Sequence, residues 1–195
     1  MIKNLKKMAL SIISIITITT VYAQKNEVGV TISGSPINTS ISFNLLEKNT
    51  YYSVYKSYGF GITYIRPITK LLEIETGLEY LNFDASVHSV YDYYKRSTAS
   101  LLEFPVGIRV NFMKYCYVNG GLLFDLDIST NSPLHIQTGF GSMLGLGLKY
   151  DFSTGISLFL NPYVKFHSML PYLIYKSGDQ HILETALRLG ITYHF

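Results

Sequence analysis

The chain of 195 residues has no tryptophan, a single cysteine, and charged residues at only 15%. A lone Cys116 excludes an intramolecular disulfide framework and a zinc site built on thiolates. After residue 23 no apolar run approaches the roughly 20 residues that a spanning helix needs, which excludes a bundle of membrane helices. Basic charge is scarce too. Lys3, Lys6 and Lys7 precede the first apolar stretch, and without them 13 Lys and Arg stand against 13 Asp and Glu. A chain so close to neutral lacks the electrostatic footprint of a nucleic-acid binder, and no nucleic acid is expected as a partner.

What is present begins with an export signal. The three lysines lead into an apolar run from Met8 to Val21, and Val21, Tyr22 and Ala23 make a small-x-small cleavage site. Ser11, Ser14, Thr17, Thr19 and Thr20 interrupt the run, which favours a cleaved Sec signal peptide over residues 1–23 rather than an anchor. Residues 24–195 are then one domain, rich in Tyr (17), Phe (11) and Gly (15). That composition suits a membrane β-barrel.

The alternation is the main signal. In 183–195 the residues Leu183, Leu187, Leu189, Ile191, Tyr193 and Phe195 share one parity, whereas Glu184, Arg188, Thr192 and His194 share the other. A period of two with unlike faces describes a strand between two unlike environments. Seven further segments repeat it, at 27–33, 58–66, 71–83, 99–112, 115–128, 139–150 and 155–166. The expected fold is all-β, an eight-stranded antiparallel up-and-down transmembrane barrel with lipid outside and a polar lumen. Connections at 34–57, 84–98, 129–138 and 168–181 are long, and those at 67–70, 113–114 and 151–154 are tight, the asymmetry of extracellular loops and periplasmic turns. Residues 37–45 either prolong the first strand or form a short hairpin. Pro105 and Pro162 fall inside strands and are expected at bulges or twists. A soluble lipocalin-like barrel is the alternative, with its apolar face turned inward.

The strands 101–112 (LLEFPVGIRVNF) and 115–124 (YCYVNGGLLF), with 77–83 (GLEYLNF) and 188–195 (RLGITYHF), resemble the PorT-like outer-membrane β-barrel family. The likeness rests on a Glu-x-Pro-apolar pattern in the fourth strand and a Gly step in the fifth. It covers almost the whole mature chain, and it implies the barrel fold and outer-membrane location without any activity. The closing Leu189, Ile191, Tyr193 and Phe195 are similar to the terminal signal read by barrel insertion machinery, which the resemblance makes an assembly partner beside outer-membrane lipid.

An eight-stranded barrel is just wide enough to be filled by its own side chains, so the inward charges must pair. The expected structural network is Glu73, Glu79, Glu103, Arg109, Asp125, Asp127, Lys149, Lys165, Glu184 and Arg188. Glu73 falls opposite Arg109 and Lys165 opposite Glu184, while Glu79, Glu103, Asp125 and Asp127 gather in the upper lumen. These four bind a hard cation, share protons, or receive Arg188 or Lys149 from across the barrel; the pairing reading is preferred, and no metal or cofactor is expected.

His167, Ser168 and Glu184 invite comparison with membrane acyl hydrolases, but neighbours on a strand point to opposite faces. With His167 inward and Ser168 outward, no catalytic residue is expected. Gly139, Gly141, Gly145 and Gly147 miss dinucleotide spacing and read as inward glycines relieving crowding. Tyr51, Tyr52, Tyr55, Tyr91, Tyr93, Tyr94, Lys95 and Arg96 form an aromatic and basic group on the extracellular side, an interfacial girdle or a surface for an envelope protein partner. The expected role is non-enzymatic: structural, adhesive or accessory to envelope assembly. A lipid-modifying enzyme or narrow transporter is the alternative.

Overall fold

Strands form where β-branched and aromatic side chains recur every second residue, as at Val28, Val30 and Ile32 or Tyr58, Phe60 and Ile62. The computed structural model describes residues 25–35, 40–43, 50–89, 94–129, 138–171 and 181–195. The strands in them are β1 (Glu27–Gly34), β2 (Ser40–Phe43), β3 (Thr50–Pro67), β4 (Leu72–Ser89), β5 (Tyr94–Asn111), β6 (Cys116–Asp127), β7 (Gly139–Asp151), β8 (Ile156–Pro171) and β9 (His181–His194). The export signal expected at 1–23, and Tyr91 and Tyr93, lie outside the described residues.

Both β1 and β2 pair with β3 on one side and β9 on the other, so they are successive parts of one stave. Every other stave is a single strand paired antiparallel to its sequence neighbours, and the sheet closes as an eight-stave barrel. Both chain ends of the barrel lie at one rim, where Phe195 N donates to Asn26 O at 2.9 Å. The three tight turns, at 68–71, 112–115 and 152–155, lie at that same rim. Following paired residues once round the wall returns to β1 displaced by about ten residues, which tilts the staves by roughly 40°.

The apolar parity faces outward. Val30 is 60% exposed, Ile32 61% and Leu144 65%, and exposed apolar residues line every stave. Glu79, Glu103, Arg109, Asp125, Lys165 and Arg188 are buried inside. This polarity overturns the lipocalin-like alternative, because a soluble barrel would hold its apolar parity within. A continuous apolar belt of this kind is the surface that lipid covers.

Strand length departs from the sequence reading. β3, β4 and β5 each run 18 residues, taking in residues 50–57 of the stretch expected as a loop at 34–57 and most of the one at 84–98. At about 3.4 Å per residue and a tilt near 40°, such strands stand about 45 Å tall, well beyond an apolar band of about 25 Å. Above the band no lipid enforces an apolar outer face, so the polar and apolar alternation fades while backbone pairing continues. Tyr51, Tyr52, Tyr94, Lys95 and Arg96 accordingly sit in paired strand rather than in loops, and Tyr55 lies within β3 at its register shift. β8 likewise continues to Pro171.

The prolines are not bulges. Pro105 pairs with Leu123 and Pro162 with Leu187 in unshifted register. Each lacks one N–H, which drops one ladder bond on one side only, and the Pro105 carbonyl still accepts from Thr76 Oγ1 at 2.9 Å. The register shifts fall elsewhere, between Val54 and Lys56 on β3 and between Phe140 and Ser142 on β7, where β8 steps from Leu170 to Phe166.

Candidate functional site

Inward parity stacks the lumen in levels. Nearest the terminal rim, Lys149 on β7 pairs with Glu27 of β1 at 2.5 Å and with Asp151 at 3.5 Å. Thr192 Oγ1 donates to Glu27 at 2.8 Å, and Ser157 Oγ meets both Asp151 and, at 2.5 Å, His194 Nε2. Glu27, Lys149, Asp151 and His194 line a mouth of about 340 Å³ that also takes in Lys25, Lys70 and Lys114. Lys149 therefore serves the rim rather than the upper carboxylates.

The middle level belongs to two arginines. Arg109 on β5 approaches Glu75 at 3.1 Å and Glu73 at 3.9 Å, with its guanidinium 4.1 Å from the Tyr117 ring centre. Arg188 on β9 reaches Glu75 at 2.7 Å, Glu79 at 3.1 Å and Asn161 Oδ1 at 3.0 Å. Phe159 lies between them, 5.0 Å from Arg109 and 5.5 Å from Arg188. Glycines make room for these rings. A Cβ on Gly147 would stand 2.0 Å from the Tyr117 ring, and one on Gly190 would stand 2.2 Å from Phe159.

Above them, Lys165 on β8 donates to Glu79 and Glu103, each at 2.6 Å. Lys165 and Glu184 are Cα partners across β8 and β9, but Glu184 turns to accept from Tyr163 Oη and Ser57 Oγ, both at 3.0 Å. His167 places Nε2 3.2 Å from Glu184 and Nδ1 3.2 Å from Asp125. Asp127 is a rim residue, capping the Ser129 amide at 2.9 Å.

Over this level lies an apolar roof of Leu81, Phe83, Ala99, Leu101 and Ile182, with Phe83 set edge-on to His167 at 5.6 Å. The roof escaped sequence reasoning because Leu81, Phe83 and Leu101 put apolar side chains on the parity that lower down carries Glu73, Glu75, Glu79 and Arg109, with Asn82, Asp84 and Ser100 on the other, so the contrast there reverses. Glu75 and Glu27 were legible as inward carboxylates by parity. Their partners were not, since Arg188 and Lys149 come from distant staves.

The expectation that Ser168 faces outward is overturned. Ser168 has φ 52° and is buried, as His167 is. The shift in register between β7 and β8 breaks strict alternation, so two successive side chains share the inner face. Ser168 N donates to Asp125 at 3.2 Å. Both His167 nitrogens face carboxylates, leaving neither to act as base toward a serine. Ser157 does contact a histidine, but it is fully buried and also hydrogen-bonded to Asp151.

No protein-family model and no curated protein matches the chain. Solved structures do. The outer membrane protein OprG from Pseudomonas aeruginosa superposes with TM-score 0.57 at 13% identity, covering 89% of this chain and 96% of that one. The outer membrane protein AlkL, determined in DMPC lipid bilayers, gives TM-score 0.55 at 13% identity over 89% of this chain and 92% of that one. At such identity the likeness is one of fold: the chain is an outer-membrane-type barrel of eight staves.

Proposed function

We propose that this chain is an integral outer-membrane protein, exported by a signal peptide at 1–23, whose barrel is a closed, non-enzymatic scaffold. The carrying observation is the lumen. Arg109, Arg188 and Lys165, from β5, β9 and β8, reach inward carboxylates of β4 and β5 within the lumen, and the roof of Leu81, Phe83, Leu101 and Ile182 lies above them. A pore would need that space for water. What the barrel holds up is the tall ribbon of β3, β4 and β5, a surface for an envelope or cell-surface protein partner in a structural, adhesive or assembly role. Outer-membrane lipid around the belt, and insertion machinery reading Leu189, Ile191, Tyr193 and Phe195, belong to the same reading. The PorT-like resemblance is retained as part of it on the strand motifs alone.

The test is electrical. Purified barrel reconstituted in planar bilayers should give no stable conductance steps above leak. Regular steps that vanish on heat unfolding would replace the scaffold by the narrow-transporter alternative, and lipid turnover by the same preparation would replace it by the enzyme.

A further inference from the structure

Above the terminal mouth, Arg109, Arg188 and Lys165 pair with Glu73, Glu75, Glu79 and Glu103. Among the described residues Asp125 and Glu184 have no Lys or Arg within ion-pair distance, and together with Glu103, which shares Lys165 with Glu79, they surround His167. Two of their oxygens are buried and unpartnered: Glu103 Oε2 and Asp125 Oδ1. Glu103, Asp125 and His167 each direct a ligand-type atom into one spot, with those atoms within 4.8 Å of one another.

The histidine adds an independent constraint. A neutral imidazole carries one N–H, whereas ionised carboxylates only accept. Glu184, whose Oε1 accepts from Tyr163 and Ser57, claims the donor at Nε2 with its Oε2. That orients Nδ1 toward Asp125 and Glu103 with its lone pair free, unless a second proton fills it. A carboxylate fixing the far nitrogen of an imidazole is the outer-shell arrangement of histidines that ligate metals. Gly141 packs closely against this spot, where a Cβ would come 2.4 Å from Phe166 O and 3.3 Å from Asp125 Oδ2, and the Ser168 turn that brings its amide onto the same oxygen fixes the carboxylate's direction.

We propose that Glu103, Asp125 and His167 Nδ1 form an intramolecular binding site for a divalent transition-metal ion such as zinc, with Glu184 positioning the imidazole. One nitrogen with two carboxylate oxygens suits zinc better than calcium, which takes six to eight oxygens. The ion ties β5, β6 and β8 together at the level just below the roof, and adds positive charge beyond that of Lys165, which Glu103 shares with Glu79. Because the site is covered by the roof, the ion enters as the barrel closes rather than by exchange through the mouth.

The experiment refolds the full mature chain in detergent with zinc chloride, with calcium chloride or with chelator, followed by desalting, metal analysis and melting by heat-modifiable gel mobility. One zinc retained per folded chain and a higher melting temperature with zinc, but not with calcium, are expected. Glu184→Gln keeps all three ligands and should weaken zinc binding by about 10- to 100-fold; His167→Ala should retain none. Should His167→Ala fail to fold, the wild-type protein refolded with cobalt(II) decides, since one imidazole and carboxylates give a ligand-field spectrum unlike that of the aquo ion. Folded wild type that retains no zinc, zinc retained equally by folded His167→Ala, or stabilisation by calcium instead would each overturn the proposal; in the first case the spot is held by shared protons.

Discussion

Lys165 holds two carboxylates from neighbouring staves, Glu79 and Glu103, at 2.6 Å each, with all three side chains buried. Removing one partner of such a group leaves uncompensated charge in a low-dielectric interior, which costs about 3–5 kcal/mol. Lys165→Met should therefore lower the urea midpoint of the refolded barrel by that equivalent, and adding Glu103→Gln should recover part of the loss, because one of the stranded charges is then gone. The glycines give a steric counterpart. A methyl at Gly147 collides with the Tyr117 ring, whereas one at Gly34 meets Ser57 O at an ordinary 3.5 Å. Gly147→Ala should cost about 1–3 kcal/mol by overpacking, and Gly34→Ala should leave the same denaturation curve nearly unchanged.

At the scale of the strand, one face is specified by lipid and the other by the lumen. Leu144 on β7 points to the lipid face at the middle of its stave. Leu144→Arg should destabilise the barrel by about 2–4 kcal/mol in phospholipid bilayers, read from urea unfolding after reconstitution. The strand was also where sequence reading was most secure. All eight segments of matching parity are staves, because a side-chain period of two against lipid admits no other geometry. It failed where that contrast is missing: in the upper halves of β3, β4 and β5, and at Ser168, where a bulge lets two neighbours share a face. Proline also misled, since its cost falls on one hydrogen bond while the rest of the ladder holds the register.

For the whole molecule, the height of the ribbon exceeds what the membrane demands. Replacing 85–97 with a short turn removes only strand above the belt, so the shortened barrel should still fold, with heat-modifiable mobility retained and its melting temperature within a few degrees of the parent. Loss of folding would mean that the ribbon stabilises the barrel rather than being displayed by it.

The sequence by itself determined the stave count, the closed antiparallel topology, which parity faces lipid, and that inward charges must find partners, because each follows from local periodicity and the cost of burying an unpaired charge. Only the tertiary structure decided which partners they find. Arg188 lies 113 positions from Glu75 and Lys165 86 from Glu79, and barrel shear, which no single strand carries, brings them to one level. Closure also decided the roof and brought His167 on β8 to Glu103 and Asp125, which are already paired across β5 and β6, since β8 meets those strands only when the sheet curls round a lumen narrow enough for side chains to cross it.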